Sequence, residues 1–243
     1  MTELKALILA AGFGTRLEDL TKHCPKALVD IGHGRLIDSA LWHVRNAGIR
    51  NVIINLHYLG GQIKEYLRDG SHLGLKISYS EEDPILDTGG AIKRVFQNFQ
   101  IGNLLVINCD AVFGSDLDLL GFVNACQNDK AKPVAGMSLK IAQGDNSYGI
   151  VELDSSCHIS GILGKRRVPE VVGEVKSCIF TGIQWISSEI VPYLETFPEI
   201  FSSTKDLYPY ILSKGGCIRG ELYEGFWRDT GTKLRLAEVQ EAV

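Results

Sequence analysis

The chain has 243 residues, 45% hydrophobic and 22% charged, with 25 Lys and Arg against 29 Asp and Glu for a formal net charge of −4. A chain of this length buries roughly 70% of the surface its unfolded form exposes, and its composition excludes intrinsic disorder and a coiled coil. The acidic balance without a basic run speaks against nucleic-acid binding, and no apolar stretch approaches the roughly 20 residues of a membrane helix.

The N-terminal MTELKALILAAG is apolar enough to suggest a signal core, but an acidic residue precedes it and Gly-Phe-Gly-Thr-Arg follows, so no secretory leader is expected. Cys24, Cys109, Cys126, Cys157, Cys178 and Cys217 form no C-x-x-C pair and read as reduced thiols of a cytoplasmic protein. The six histidines lack H-x-x-x-H and H-x-E spacing, so no zinc site is expected.

In chain order, Lys5–Leu9 is a short apolar run of the kind buried on both faces of a sheet. Leu36, Ile37, Ala40, Leu41 and Val44 follow helical spacing up to the terminator Gly48. Strands are predicted at Asn51–Asn55, Lys76–Ser80, Leu104–Asn108 and Val134–Leu139, and helices at Gly60–Asp69, Thr88–Phe96 and Leu117–Ala125. This alternation predicts right-handed βαβ units and a mostly parallel sheet over roughly residues 1–140. Tyr148–Leu153, His158–Leu163 and Ser177–Ile183 then read as strands separated by turns, hence antiparallel, before helices at Ser188–Leu194, Leu207–Lys214 and Thr232–Ala242. No internal repeat or low-complexity linker divides the chain, so one domain is expected over 1–243, its second half (about 141–243) elaborating the first (about 1–140).

The first strand runs into Ala10-Ala11-Gly12-Phe13-Gly14-Thr15-Arg16-Leu17. Small residues there let backbone amides approach a ligand and form an anion-binding concavity. A dinucleotide fingerprint would need glycine at position 17, which is Leu17, and a Walker loop would need G-K-S/T, whereas this chain has Gly14-Thr15-Arg16. The fixed charge of Arg16 suits a triphosphate better than a dinucleotide. Cys24-Pro25-Lys26-Ala27-Leu28 follows, with Pro25 stiffening the chain before Lys26.

L-I-L-A-A-G-F-G-T-R-L followed by P-K-A-L resembles the signature of sugar-1-phosphate nucleotidyltransferases, the pyrophosphorylase-like enzymes that make nucleotide sugars. The resemblance continues through Glu81-Glu82-Asp83-Pro84-Ile85-Leu86-Asp87-Thr88-Gly89-Gly90-Ala91, Asn108-Cys109-Asp110, Tyr148-Gly149-Ile150-Val151-Glu152 and Phe226-Trp227-Arg228-Asp229-Thr230-Gly231-Thr232. Five motifs in order over residues 7–236 are far more specific than any one of them.

What this resemblance implies is a Rossmann-like three-layer α/β sandwich with a mostly parallel mixed sheet and a small antiparallel sugar-binding elaboration. It implies transfer of a nucleotidyl group from a nucleoside triphosphate to a sugar-1-phosphate, with Mg²⁺ as cofactor and no nucleic-acid or membrane partner. Asp110 and Asp229 become the expected metal ligands, Arg16 the partner of the β and γ phosphates, and Lys26 that of the phosphates at the reacting centre. Leu9, Ala10, Ala11, Gly12, Gly14, Thr15, Thr88, Gly89 and Gly90 are the expected nucleotide contacts, and Gly149, Glu152, Thr181 and Gly182 the sugar contacts.

The chain departs from the family pattern in three places. Cys109 stands where relatives have glycine, Glu18-Asp19-Leu20 replaces the usual proline after Arg-Leu-x, and Gly164-Lys165-Arg166-Arg167-Val168-Pro169 replaces the E-K-P segment, leaving Lys165 or Arg166 as substitutes or as surface charge. Only residues 230–243 follow Asp229, so no C-terminal β-helix domain is expected. Asn55-Leu56-His57-Tyr58-Leu59-Gly60-Gly61-Gln62-Ile63 and P-I-L-D-T-G-G look most similar to bacterial N-acetylmuramate-1-phosphate uridylyltransferases of cell-wall recycling. Short mannose- or heptose-1-phosphate guanylyltransferases compete closely, so UTP and GTP both stand. A nucleotide-sensing relative without activity would be expected to lose a metal aspartate or Lys26, and all are present.

Overall fold

A computed structural model describes residues 3–144, 148–169 and 173–242. In chain order its elements are β1 (Leu4–Leu9), α1 (Leu36–Asn46), β2 (Asn51–Leu56), α2 (Gly60–Leu67), β3 (Lys76–Glu81), α3 (Asp87–Asn98), β4 (Asn103–Asn108), β5 (Ala111–Phe113), α4 (Leu119–Gln127), β6 (Ala135–Ile141), β7 (Ile150–Asp154), β8 (Ile159–Ile162), β9 (Lys165–Arg166), β10 (Val175–Ser187), α5 (Val191–Leu194), α6 (Tyr208–Ser213), β11 (Ile218–Leu222), β12 (Trp227–Asp229) and α7 (Lys233–Ala242). The chain divides into two compact units, one of Leu4–Ile85, Val106–Leu119 and Gly225 onward, the other of Leu86–Leu105 and Leu120–Glu224.

In the first unit, Ala6, Leu7 and Ile8 of β1 are fully buried, as a parallel strand covered on both faces requires. β1 pairs in parallel with β2 from Ala6↔Val52 to Leu9↔Asn55, and β2 with β3 from Asn51↔Lys76 to Leu56↔Glu81. This register sets Leu9, Asn55 and Ser80 in one row at the carboxyl ends of the strands, the edge at which α/β sheets bind ligands. α1 begins where Asp38 Oδ2 accepts the Arg35 amide at 2.9 Å, and its predicted apolar stripe is buried. Beneath the segments that follow β1 lies one core of Leu17, Val29, Ile31, Leu36, Val112, Leu236 and Val239. These residues tie together the glycine loop, α1, β5 and α7.

The second unit is largely antiparallel. β10 pairs antiparallel with β6 and β7, β7 with β8 and β8 with β9, while β11 runs parallel to β6. The expected α/β class therefore holds, with β1, β2 and β3 parallel and the short β5–β12 ribbon antiparallel in the first unit, and mixed pairing in the second. Among the described residues no helix is long and apolar enough to cross a membrane.

Several elements differ from the sequence reading. β5 and β12 have three residues each and β9 two, too few to show an alternation. β11 has Gly220 at its centre, where a Cβ would lie 2.5 Å from Leu153 Cδ1 and 2.8 Å from Leu139 Cδ1, so close packing excludes a side chain. The helix expected at Ser188–Leu194 is a 3-10 turn over Ser188–Ile190 followed by α5. The one expected at Leu207–Lys214 enters through a π turn over Ser203–Leu207, because Pro209 has no N–H to offer the preceding turn.

Candidate active site

β1 ends at Leu9, and the next amide, that of Ala10, donates to Asn55 Oδ1 at 2.7 Å. Ala10 and Ala11 are buried, whereas Gly12, Thr15 and Arg16 are exposed. A Cβ on Gly12 would meet nothing within 4 Å, so the chain itself leaves that face of the loop open. Gly14 is different. Its φ of +65° is left-handed, and a Cβ there would come within 2.8 Å of Thr21 Cγ2 and 3.0 Å of Lys26 Cβ. Gly14 is thus the point at which the loop closes onto the segment bearing Lys26. Phe13 turns aside and packs on His57 and Tyr58, with ring centroids 5.2 Å and 5.6 Å apart.

Pro25, extended at ψ 143°, leads into a 3-10 turn over Lys26–Leu28. The turn is packed closely enough that Lys26 is only 8% exposed, unusual for a lysine. Its Nζ donates to Asp110 Oδ2 at 2.5 Å. A buried ammonium needs such a partner.

Asp110 follows β4, and its carbonyl oxygen accepts two bonds from Thr230, from N at 2.9 Å and from Oγ1 at 2.8 Å. These bonds continue the antiparallel β5–β12 ribbon, in which Asp229 is registered opposite Ala111. Two carboxylates distant in sequence, Asp110 just before β5 and Asp229 at the end of β12, therefore stand at the same end of this ribbon. Asp229 Oδ1 accepts the Gly231 amide at 2.5 Å and lies 3.6 Å from Arg235 Nη1. The Cβ that Gly231 lacks would sit 2.6 Å from Asp229 Oδ1 and 2.9 Å from Arg16 Nη2, so the carboxylate and the guanidinium both border the space this glycine leaves. The structure brings Arg16, Lys26, Asp110 and Asp229 together within the first unit.

The two carboxylates offer only oxygen donors and keep 28% and 22% of their side-chain surface exposed. Among the described residues no group of three or more His, Cys, Asp or Glu could hold a metal ion. Two carboxylates fit a small hard cation that draws the rest of its shell from phosphate and water.

Cys109 is buried, and desolvation pushes its thiol up to about 12. The side chain that replaces the family's glycine therefore points into the core as an inert thiol.

The remaining expected contacts lie in the second unit. Gly89 and Gly90 are buried and donate their amides to the Phe201 carbonyl at 2.9 Å and 3.1 Å. A Cβ would collide with the Phe201 ring at the first and with the Glu199 carbonyl oxygen at the second, so both glycines permit α3 to pack against that segment. Thr88 Oγ1 accepts from Ser203 N and Oγ. Gly149 leaves room for Leu163, whose Cδ2 takes the space a Cβ would need. Glu152 pairs with Arg166 at 3.2 Å across Gly161, giving Arg166 a carboxylate partner. Thr181 donates to the Ser138 carbonyl at 2.9 Å, and Gly182, at φ +97°, sits in a register shift of β10.

Thr230, Gly231, Arg235 and Asn55 shape the site without having been singled out as site residues. For Asn55 a signal existed, a polar residue closing the apolar run Val-Ile-Ile. For Arg235, on a helix far along the chain, none did.

Comparison with known proteins places the chain in a family. The nucleotidyl transferase family model matches residues 5–243. N-acetylmuramate alpha-1-phosphate uridylyltransferase of Neisseria meningitidis serogroup B is 32% identical over 245 residues, covering 98% of this chain and 97% of that protein. Mannose-1-phosphate guanylyltransferase of Mycobacterium tuberculosis is 29% identical over 234 residues, covering 95% of this chain. The chain spans 62% of that relative's length and so matches only part of it. Among solved structures, a Bacillus anthracis protein in complex with a sucrose superposes with a TM-score of 0.83 at 22% identity, covering 98% of this chain and 94% of that one. The chain belongs to the nucleotidyl transferase family, with sugar-1-phosphate nucleotidyltransferases among its relatives.

Proposed function

We propose that this chain transfers a nucleotidyl group from a nucleoside triphosphate to a sugar-1-phosphate. An oxygen of the sugar phosphate bonds to the α-phosphorus, the bond from that phosphorus to the bridging oxygen breaks, and pyrophosphate leaves. The observation that carries this reading is the convergence of two carboxylates, Asp110 and Asp229, with two cations, Lys26 and Arg16, beside a glycine loop whose face is open at Gly12.

Both reactants are anions, so charge neutralisation and positioning supply most of the catalysis. Lys26, a compact ammonium, serves the phosphates at the reacting centre, and Arg16, a planar fork, serves the β and γ phosphates. Leu9, Ala10, Ala11, Gly12, Gly14 and Thr15 form the nucleotide cradle, with Ala10 contributing groups other than its committed amide. Asp110 and Asp229 would hold Mg²⁺, which supplies neutralisation of the phosphate charge. We further assign Thr88, Gly89 and Gly90 to the nucleotide and Gly149, Glu152, Thr181 and Gly182 to the sugar.

The substrate pair we infer is UTP with N-acetylmuramate 1-phosphate, in the cytoplasm and in service of the cell wall. It is supported by the end-to-end match to the Neisseria relative. A second pair, GTP with mannose 1-phosphate, is supported by the match to the Mycobacterium relative. Incubation with Mg²⁺, each of the five common triphosphates and a panel of sugar-1-phosphates tests the reading by pyrophosphate release. Release that requires both substrates and is lost in Asp110→Ala with a native circular dichroism spectrum is the expected result. Silence across the whole matrix overturns it.

A further inference from the structure

The end of β2 carries a buried polar group that the transfer chemistry above does not use. Asn55 is 4% exposed, as is Glu82 just beyond β3. Asn55 Oδ1 accepts the Ala10 amide at 2.7 Å while its Nδ2 donates to Glu82 Oε1 at 2.8 Å. Glu82 is fixed from two further directions. Its amide donates to the Leu56 carbonyl at 2.8 Å, and its carbonyl accepts from His57 Nδ1 at 2.8 Å. His57 in turn carries the ring of Phe13, a residue of the glycine loop.

Only a carboxamide can serve both ends here. Its oxygen must accept from a backbone N–H and its nitrogen must donate to a carboxylate. Leaving either buried partner unmet would be costly, so the bonds hold the loop's first amide in a single place. The consequence reaches the candidate nucleotide contacts, because the Ala10 N–H is committed to Asn55 and the amides left for a ligand start beyond it.

We propose that Asn55 is a positioning residue that, polarised by Glu82, fixes the start of the glycine loop for the triphosphate. This inference rests on the nucleotidyl-transfer reading above.

The test uses Asn55→Asp, Glu82→Gln and the double variant on the full chain. Asn55→Asp keeps the acceptor for Ala10 but sets a second carboxylate against Glu82. The double variant reverses the polarity, with the new carboxamide at position 82 donating and the carboxylate at position 55 accepting from both sides, so both side-chain bonds of residue 55 are rebuilt at unchanged net charge. At pH 7.5 the triphosphate KM of Asn55→Asp is expected to rise at least tenfold while kcat changes less than threefold. The double variant should return KM to within about threefold of wild type. Acidification should partly rescue Asn55→Asp alone, since a proton shared by two facing carboxylates restores a donor. Hydrogen exchange at the Ala10 amide, read by NMR, should be slow in wild type and in the double variant and fast in Asn55→Leu.

A lowered unfolding midpoint with unchanged KM in Asn55→Asp would make the network merely structural and overturn the proposal. So would a double variant no better than the worse single, or fast Ala10 exchange in wild type. If wild type releases no pyrophosphate from any substrate pair, the transfer reading falls instead. Calorimetric binding of UTP and GTP then judges the tether by the same order of variants, and absence of binding to wild type overturns both.

Discussion

Lys26 Nζ lies 2.5 Å from Asp110 Oδ2, with the lysine side chain 10% exposed and the aspartate 28%. A cation assigned to phosphate and a carboxylate assigned to metal are thus mutual partners. The ammonium is held at its post by a group 84 residues further along the chain, and little side-chain freedom remains to be lost when a phosphate arrives. Lys26→Ala is expected to lower kcat by roughly 100- to 1,000-fold, the scale of losing one preorganised donor to a developing charge. The triphosphate KM should move far less. Lys26→Arg should not rescue, because the longer planar fork does not fit the buried place at which the ammonium meets Asp110. Steady-state kinetics of the two variants checks this, and a defect confined to KM would contradict it.

Thr230 is fully buried and grips the Asp110 carbonyl through both its amide and its hydroxyl. Thr230→Val keeps the shape and the amide bond but removes the hydroxyl bond from a buried position. A stability loss of about 1 kcal/mol is expected, together with a fall in kcat exceeding tenfold, since small displacements of a reacting centre are costly. Urea unfolding and kinetics on the same preparation separate the two. A stability loss with intact kcat would show that Asp110 is positioned without this clamp.

Two glycines of the site give separate expectations. A methyl on Gly231 would stand 2.6 Å from Asp229 Oδ1 and 2.9 Å from Arg16 Nη2, forcing two charged groups apart without entering the apolar core. Gly231→Ala should therefore fold with a near-native unfolding midpoint and lose most of its activity. A methyl on Gly12 would meet no atom of the chain. Gly12→Ala should leave the unfolding midpoint unchanged and weaken triphosphate binding, because only a ligand is left to be obstructed. Thermal melts with and without UTP or GTP distinguish them. An unchanged nucleotide-dependent shift in Gly12→Ala would remove the open face from the site.

The parallel strands and α1 were legible because their signals are local. A run such as Ala6-Leu7-Ile8 announces burial on both faces, and the stripe from Leu36 to Val44 announces one helix face. The residues proposed to hold phosphate and metal were legible through ordered motifs. Their mutual arrangement was not, because it is made by β5 and β12, three-residue strands whose pairing is encoded by partners far away in sequence. Lys26 shows the same limit. A lysine after a proline carries no mark of burial, and only the closeness of Gly14 and the carboxylate of Asp110 account for it. Gly89 and Gly90, marked as nucleotide contacts by the resemblance, carry no local sign of the packing they also serve, the seating of α3 on Phe201.

In the second unit Asp129 links two strands by charge. Its Oδ2 accepts from Arg219 Nη1 at 2.5 Å and from His158 Nε2 at 2.9 Å, while Oδ1 accepts the Ala131 amide at 2.8 Å. Burial alone would raise this carboxyl, but the amide, the guanidinium and the imidazole together hold it down at about 2. A carboxyl whose folded value lies below its unfolded one stabilises the protein fully above the unfolded value, and that contribution is lost as pH falls through the folded one. The window here runs from about pH 4 down to about pH 2. At neutral pH the ionised carboxylate, with its side chain 7% exposed, therefore adds to stability. Asp129→Asn should unfold at lower urea at pH 7, and the gap between variant and wild type should narrow steadily as the pH is taken from 5 towards 2. A gap that stays constant over that range would mean that the Arg219 and His158 contacts act through packing alone, with no net preference for the ionised carboxylate.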